Sequence, residues 1–390
     1  MAKGNHTPET KRPRRFTWRT GVAVALVTTL LCVAAIEVAL RIARLHQAPA
    51  TLAELEERRE RFRGGDVRLG HLIMPSDDPD IVYELIPGLD VVWRDVVTSR
   101  ATHVRTNCYG WRDDEWTSPK PSGQVRIAVL GDSTSFGWFI EREDNHPECL
   151  QWALNPVAGE DAVEVMNFSV PGYNSAMEKE VLRARALSHQ PDIVVLQFEI
   201  NDMHLPNFMK LPENVWRLDR LYLWDYLHSL HPRWKKARQA EALPELVGLD
   251  ALELIEDENG ARIFQLDPDR IPPEHRDMAG PENCRRHIAE IGRICRERRL
   301  PAVMLLNPIL VDSYGEDEST ATDPQYAPYV ETAREAGFII ADPTSDIQEF
   351  LSTHHLTSRD LFVDPFTDDS HPSPPRSALM ARRLALTVGH

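Results

Sequence analysis

The strongest constraint on the fold is a set of short apolar runs that alternate with helix-forming segments after residue 124. Runs rich in Val, Ile and Leu that are separated by helices are typical of parallel strands covered on both faces. The pattern therefore predicts an α/β fold with a parallel sheet between two layers of helices. The predicted strands are Val125–Leu130, Val163–Phe168, Ile193–Phe198, Ala302–Leu306 and Phe338–Ala341, and the predicted helices lie at about 144–154, 175–189, 281–299, 325–336 and 374–388.

Polar or glycine-containing turns follow the first three of these strands. They contain Ser133, Gly172 and Asn201 in turn. Because the carboxyl ends of parallel strands meet at one edge of a sheet, we expect these three residues to lie close together. A serine that enters a helix meets free backbone N–H groups, which suits a nucleophile whose product is an oxyanion. Taken singly, the serine turn is commonly just a helix cap, and the other two are better explained as ordinary turns.

A further polar block, Asp368-Asp369-Ser370-His371, precedes the last predicted helix. An aspartate three residues before a histidine can fold its carboxylate back onto the imidazole. That contact fixes the tautomer of the histidine and stabilises the imidazolium that forms when His371 accepts a proton. Together with Ser133, the block suggests nucleophilic catalysis by a Ser-His-Asp set.

In this order the blocks resemble those of the SGNH/GDSL hydrolase family. The four residues that name the family match Ser133, Gly172, Asn201 and His371, and its Asp-x-x-His block matches Asp368. The resemblance covers about residues 125–200 and 301–388, and residues 106–112 look like the stretch before the first block in large, exported members. It implies a three-layer α/β/α sandwich with a flavodoxin-like sheet, and ester hydrolysis or acyl transfer without a metal or other cofactor.

The resemblance also implies a role for each matching residue. Ser133 would be the nucleophile, His371 the general base and then the general acid, and Asp368 the residue that orients His371. The backbone N–H groups of Ser133 and Gly172 and the side-chain amide of Asn201 would form the oxyanion hole.

Glu199 departs from the family pattern, which often has glycine two residues before the asparagine. From the sequence, this carboxylate could narrow the pocket or bind a hydroxyl-rich substrate. The neighbouring Asp132 and Asp202 are predicted to hydrogen-bond backbone groups and to hold the turns in place. His354 and His355 lack the spacing of a metal site, so no metal is expected there.

Three functions are compatible with these residues. The first is a serine esterase acting on an O-acylated carbohydrate or a similar ester. The second is an O-acyltransferase that modifies an exported polysaccharide with the same residues, and the third is a binding module that has kept the fold without the activity. The net charge of −16 argues against a nucleic-acid partner, which a basic face would normally bind.

A twenty-residue apolar segment, residues 21–40, follows a basic N-terminal stretch. A helix of this length reaches about 30 Å, the thickness of the hydrocarbon core of a bilayer. The basic residues before it predict a signal anchor that leaves residues 1–20 in the cytoplasm and the rest outside, in contact with the bilayer through the segment itself. Cleavage near Ala48-Pro49-Ala50 is the alternative. Glu37 is expected to pair with Arg41, four residues further on.

The sequence thus predicts four regions: a basic tail (1–20), a transmembrane signal anchor (21–44), a charged stalk with a β-rich preamble (45–122), and a hydrolase-like domain (123–390). An insertion at 203–280 interrupts this last domain and is rich in aromatic residues. If the body is exported, Cys108, Cys149, Cys284 and Cys295 could form disulfides, for which four cysteines formally allow three connectivities, or remain free thiols. Cys284 and Cys295 share one predicted helix and are too far apart to bond to each other. The oligomeric state does not follow from the sequence.

Overall fold

The computed structural model describes residues 18–45, 66–67, 69–94, 100–159, 162–210, 221, 223, 246–247, 252–256, 262–266, 273–309, 311–315, 318–365 and 370–389. The chain divides into two units, Met1–Pro49 with Pro212–Ala240, and Ala50–Leu211 with Glu241–His390. The predicted stalk helix at 51–63, Asp368, and the aromatic residues expected in the insertion (Trp216, Tyr222, Trp224, Tyr226 and Trp234) lie outside the described residues.

The strands are β1 (Asp66–Val67), β2 (Ile73–Pro75), β3 (Tyr83–Leu85), β4 (Asp90–Arg94), β5 (Ala101–Arg105), β6 (Val125–Gly131), β7 (Val163–Ser169), β8 (Ile193–Phe198), β9 (Met209–Lys210), β10 (Leu246–Val247), β11 (Leu252–Glu256), β12 (Arg262–Leu266), β13 (Ala302–Leu306) and β14 (Phe338–Ala341). The α-helices are α1 (Trp18–Leu45), α2 (Leu69–Leu72), α3 (Ser133–Phe136), α4 (His146–Ala158), α5 (Ser175–Ala184), α6 (Pro281–Arg298), α7 (Ala327–Glu335), α8 (Thr344–His354) and α9 (Pro374–Val388).

In the first unit, α1 contains the predicted apolar segment. Its stretch Gly21–Ile42 has a mean hydropathy of 2.4 and is long and apolar enough to cross a membrane, a property that signal sequences share. Glu37 and Arg41 form the predicted ion pair, with 2.7 Å between Oε1 and Nη2. The hydroxyls of Thr28 and Thr29 donate to backbone carbonyls one turn earlier, so neither needs water as a partner.

The second unit is built on a five-stranded parallel sheet with the order β7-β6-β8-β13-β14. In chain order this is 2-1-3-4-5, the flavodoxin-like arrangement, so the predicted sheet is confirmed. The chain order reverses between β6 and β8. Ligands of such sheets bind outside the carboxyl ends of the strands at this point.

Helices cover both faces of the sheet, as predicted. Successive residues of β6 point to opposite sides: Ala128 and Leu130 join a core with α5, α6 and α7, whereas Ile127 and Val129 join a core with α4 and α9. The five predicted strands agree with the structure to within one residue at their ends. The helix α8 was not predicted, because its apolar face consists of only three residues, Ile347, Phe350 and Leu351.

The preamble is β-rich, as predicted, and packs in the same unit as the sheet. β4 pairs with β1 and β5, and β2 pairs with β3 in a small antiparallel ladder. Within the insertion, β9 pairs with β10, and β11 with β12. Cys284 and Cys295 lie buried on α6, and all five cysteines of the chain are free thiols.

Candidate active site

Ser133 is the first residue of the short helix α3, directly after β6. The carboxylate of Asp132 accepts a hydrogen bond from the backbone N–H of Thr134 at 2.9 Å and so caps the helix. Gly137 ends the helix in the left-handed region, with φ of 88°. The N–H of a residue at the first helical position has no partner within the helix, so that of Ser133 remains available for an oxyanion.

The structure brings Ser133 and His371 together, although 238 residues separate them in the chain. The distance between Ser133 Oγ and His371 Nε2 is 2.9 Å, and Oγ also lies 3.3 Å from Asp132 Oδ2. The histidine segment is fixed by a backbone bridge between Phe362 and Pro372 and by the Val363 N–H, which donates to the His371 carbonyl. The serine hydroxyl is therefore within hydrogen-bonding distance of an imidazole that can accept its proton.

Asp368, predicted to orient His371, lies outside the described residues. Its role therefore stays a prediction. The aspartate next to the nucleophile, Asp132, instead contacts the hydroxyl of Ser133, the N–H of Thr134 and the amide of Asn201.

Gly172 occupies a turn that no other residue type fits. Its φ is 79°, and a Cβ at this position would lie 2.3 Å from the side chain of Asn207. The N–H of Asn207 donates to the Gly172 carbonyl at 3.2 Å, which fixes the orientation of that carbonyl. On the preceding residue, the carbonyl of Pro171 accepts a hydrogen bond from the Tyr83 hydroxyl at 2.9 Å. The preamble therefore holds this turn in place.

Asn201 follows β8, at the same edge of the sheet as Ser133. Its Nδ2 donates to Asp132 Oδ2 at 2.8 Å. An amide nitrogen carries two hydrogens, so one remains for a substrate oxygen while the other fixes the orientation of the group. Asp202 also acts as predicted, since its Oδ2 accepts a hydrogen bond from the Glu199 N–H at 3.1 Å.

Buried carboxyl groups surround the base of the site. Burial raises the pKa of Asp202 well above its ordinary value, with Glu178 and Asp132 adding to the effect. Burial and Asp132 raise the pKa of Glu178 well above its ordinary value too. For Glu199, burial and the charge of Asp132 raise the pKa to about 7, against the opposing influence of His371. The surroundings thus favour the protonated form of Glu178 and Asp202 and bring the pKa of Glu199 to about 7.

Two side chains of the site were not predicted to support it, although Arg112 lies in the stretch 106–112 that resembles family members. The indole of Trp138 stacks on the imidazole of His371. The guanidinium of Arg112, in the preamble, is fully buried and donates to the carbonyls of Phe136 and Gly137 at 2.9 and 2.8 Å. It thereby fixes the end of the helix that begins with Ser133.

Within the described residues, two other serine–histidine pairs occur, and both are buried. Ser135 Oγ lies 2.8 Å from His146 Nε2, and Ser175 Oγ lies 3.2 Å from His287 Nδ1. Burial lowers the pKa of His146 to about 3 and that of His287 to about 4, so both imidazoles are neutral. A substrate cannot reach either pair without unfolding of the core. In contrast, His371 is only half-buried.

No protein-family model matches the chain, and no curated protein matches its sequence. Among solved structures, it is similar to an acetyl xylan esterase, AlAXEase, with 14% identity and a TM-score of 0.39 over 68% of this chain and 100% of that one. It is also similar to TesA, with 13% identity and a TM-score of 0.35 over 67% of this chain and 97% of that one. A third similar structure is that of Axe2, an acetylxylan esterase from Geobacillus stearothermophilus, with 14% identity and a TM-score of 0.37 over 69% of this chain and 97% of that one. At such identities and TM-scores, the similarity supports no conclusion about activity or substrate.

Proposed function

We propose that the protein is a serine-dependent ester hydrolase of the SGNH type. The observation that carries the proposal is the 2.9 Å contact between Ser133 Oγ and His371 Nε2 at the carboxyl edge of the sheet. It lies at the point where the chain order reverses, which is where α/β sheets of this kind bind their ligands. The family resemblance of the sequence blocks supports the same reaction class.

In the first step, the Ser133 Oγ attacks the carbonyl carbon of the ester while its proton moves to His371 Nε2. The electron pair of the carbonyl π bond moves to the oxygen, which becomes an oxyanion. The N–H groups of Ser133 and Gly172 and the free Nδ2 hydrogen of Asn201 are the donors that we assign to it. When the tetrahedral intermediate collapses, the bond to the alcohol oxygen breaks and His371 protonates the leaving alcohol.

In the second step, water attacks the acyl-serine with His371 again as the base. The acid is released and Ser133 recovers its proton. Asp368 is assigned the role of orienting the imidazole throughout, as the Asp-x-x-His spacing predicts. Both steps are acyl transfers in which no atom changes its oxidation state.

The substitution Ser133→Ala tests the proposal. It should abolish release of nitrophenol from a short acyl nitrophenyl ester and labelling by a fluorophosphonate probe, because both require the hydroxyl. Ser135→Ala is the matched control, since that serine lies in the buried pair with His146. Full turnover by the Ser133→Ala variant would refute the proposal, and a wild-type protein that neither reacts with the probe nor hydrolyses esters would favour the binding module.

We also propose that α1 anchors the protein in a membrane as a single span and that the catalytic unit lies outside the cytoplasm. The exposed apolar surface of Gly21–Ile42 and the basic residues before it support this topology. Protease added to intact cells should digest the catalytic unit while a tag at the N-terminus stays protected. Digestion of the tag with the catalytic unit intact would show that the protein has the opposite orientation.

The substrate class that we propose, an O-acylated carbohydrate or a similar ester, rests on the family resemblance. Purified protein should release acid from acetylated polysaccharides faster than from lipid esters. Supplying an acyl donor together with a sugar acceptor in water separates hydrolysis from transfer. Free acid should dominate for a hydrolase, whereas a predominance of acylated sugar would identify the transferase.

A further inference from the structure

We infer that Glu199 is a positioning residue of the proposed reaction, in which its carboxylate ties the nucleophile helix to the histidine loop and favours the imidazolium form of His371. The inference rests on the proposed function. Glu199 stands at the position where the family often has glycine, so the family resemblance assigns it no role.

The contacts of Glu199 point to a role other than the two that the sequence suggested for it. Its residue exposure is 3%. Its Oε2 instead accepts hydrogen bonds from Thr134 Oγ1 at 2.9 Å and from Asn307 Nδ2 at 2.8 Å. The carboxyl group therefore contacts the residue that directly follows the nucleophile.

Asn307 extends this connection to the histidine loop. Its Nδ2 also donates to the carbonyl of Ser370, at 3.1 Å, and Ser370 directly precedes His371. Its Oδ1 accepts a hydrogen bond from Arg376 Nη2, at 3.2 Å, so both ends of the amide are held. A single buried carboxyl group thus joins, through one asparagine, the two segments that carry the hydroxyl and the imidazole.

The charges around Glu199 determine what its ionisation does. Among the described residues, the groups coupled electrostatically to Glu199 are Asp132, Asp202, Tyr326 and His371. Glu178 on α5 acts on Asp202, and Arg376 on α9 contacts Asn307. Burial raises the pKa values of Glu178, Asp202 and Tyr326 well above their ordinary values. When Glu199 and His371 are both ionised, their opposite charges stabilise each other.

This coupling favours the chemical step. When the proton of Ser133 moves to His371, a positive charge appears on the imidazole inside a site of low polarity. An ionised Glu199 stabilises that charge, whereas a protonated one does not. Because the attraction between the two charges is mutual, the acid limb of kcat/KM should lie at a higher pH than it would without the carboxylate.

Glu199→Gln in the full-length protein tests the inference, because the amide keeps the shape and an acceptor oxygen but cannot ionise. We expect the acid limb of kcat/KM to move to lower pH by about 0.5–1 unit and kcat at the plateau to fall by about three- to tenfold, with KM nearly unchanged. Glu349→Gln, the same change at an exposed site on α8, should leave both quantities unaltered. If Glu199 had only a structural role, Glu199→Gln would lower kcat without moving the acid limb of kcat/KM.

Thr134→Val provides a second variant that keeps the carboxyl group and removes one hydrogen bond to its ionised form. It should shift the acid limb in the same direction by a smaller amount. Melting temperatures within a few degrees of wild type show that both variants fold. An unchanged limb in both folded variants, with active wild-type enzyme, overturns the inference alone, whereas wild-type protein without activity or probe labelling overturns the proposed function.

Discussion

The indole of Trp138 lies flat against the imidazole of His371, with the ring centroids 4.6 Å apart and the ring planes at 11°. On another side, Trp93 of β4 contacts Trp138 edge-on, at 4.7 Å and 89°. Trp93 of the preamble therefore packs against Trp138, which in turn packs against His371. The face of an indole attracts a cation, so the stack stabilises the imidazolium and restricts rotation of the ring.

Trp138→Leu should lower kcat several-fold and move the acid limb of kcat/KM to lower pH by about half a unit. This shift corresponds to a loss of roughly 0.5–1 kcal/mol of cation–π attraction. Trp138→Phe, which keeps an aromatic face, should retain most of the rate. The measurement is the pH profile of ester hydrolysis for both variants. Equal losses in the two would show that packing volume rather than the aromatic face is what matters.

The turn at Gly172 permits a double-substitution test of the proposed oxyanion hole. Gly172→Ala places a methyl group against Asn207 and requires a left-handed backbone, so the N–H should move away from the substrate oxygen. We expect kcat to fall by about 10²–10³, the typical effect of losing one such donor.

Adding Asn207→Gly to this variant removes the atoms with which the new methyl group collides. The double variant should therefore recover part of the lost rate, while the backbone strain of about 1 kcal/mol persists. Asn207→Gly alone is the control and should be nearly as active as wild type. No recovery in the double variant would mean that the left-handed conformation, and not the collision, accounts for the loss.

Arg112 is predicted to stabilise both the fold and the nucleophile helix. Burial lowers the pKa of its guanidinium to about 10, so it remains charged at neutral pH. Arg112→Met would leave buried carbonyls of the helix end without donors, at about 1–3 kcal/mol for each group. We expect a loss of about 3–5 kcal/mol in urea unfolding and a clear loss of activity. Arg293→Met, at an exposed position of α6, should change stability by less than about 1 kcal/mol.

The strand-end residues could be predicted from the sequence because the rule behind them is local. A parallel sheet brings the carboxyl ends of its strands together, so Ser133, Gly172 and Asn201 follow from where the strands end. His371 was predicted through its spacing to Asp368 and its position before the last helix. The strand order and both helix layers also follow from the alternation of apolar runs.

The supporting residues depend on contacts across long stretches of chain. Trp138, Arg112 and Tyr83 contact the site through packing between the preamble and the sheet. Even the family-like stretch 106–112, which contains Arg112, does not indicate what that side chain contacts. Glu199 was noticed only as a departure from the family pattern. Its actual surroundings depend on Asn307, which lies 108 residues further along the chain.

Glu178 gives the chain a pH-dependent stability that can be measured apart from catalysis. It is 1% exposed, and within the described part of the chain neither carboxyl oxygen has a hydrogen-bond partner. Burial and Asp132 raise its pKa well above the ordinary value, so the folded state binds a proton that the unfolded state releases. Its contribution to stability is fully present below the unfolded pKa of 4.5 and is lost as the pH rises toward the folded pKa.

Glu178→Gln, which cannot ionise, should therefore remove this loss. As the pH rises above about 5, the free energy of unfolding of wild type should fall relative to the variant by up to about 1.4 kcal/mol per pH unit, the slope for one proton. Urea unfolding at a series of pH values measures the difference, and Glu335→Gln on the surface helix α7 serves as the control. If the difference in the free energy of unfolding between wild type and Glu178→Gln stayed constant with pH, Glu178 would be ionised in the folded protein. That result would contradict the prediction.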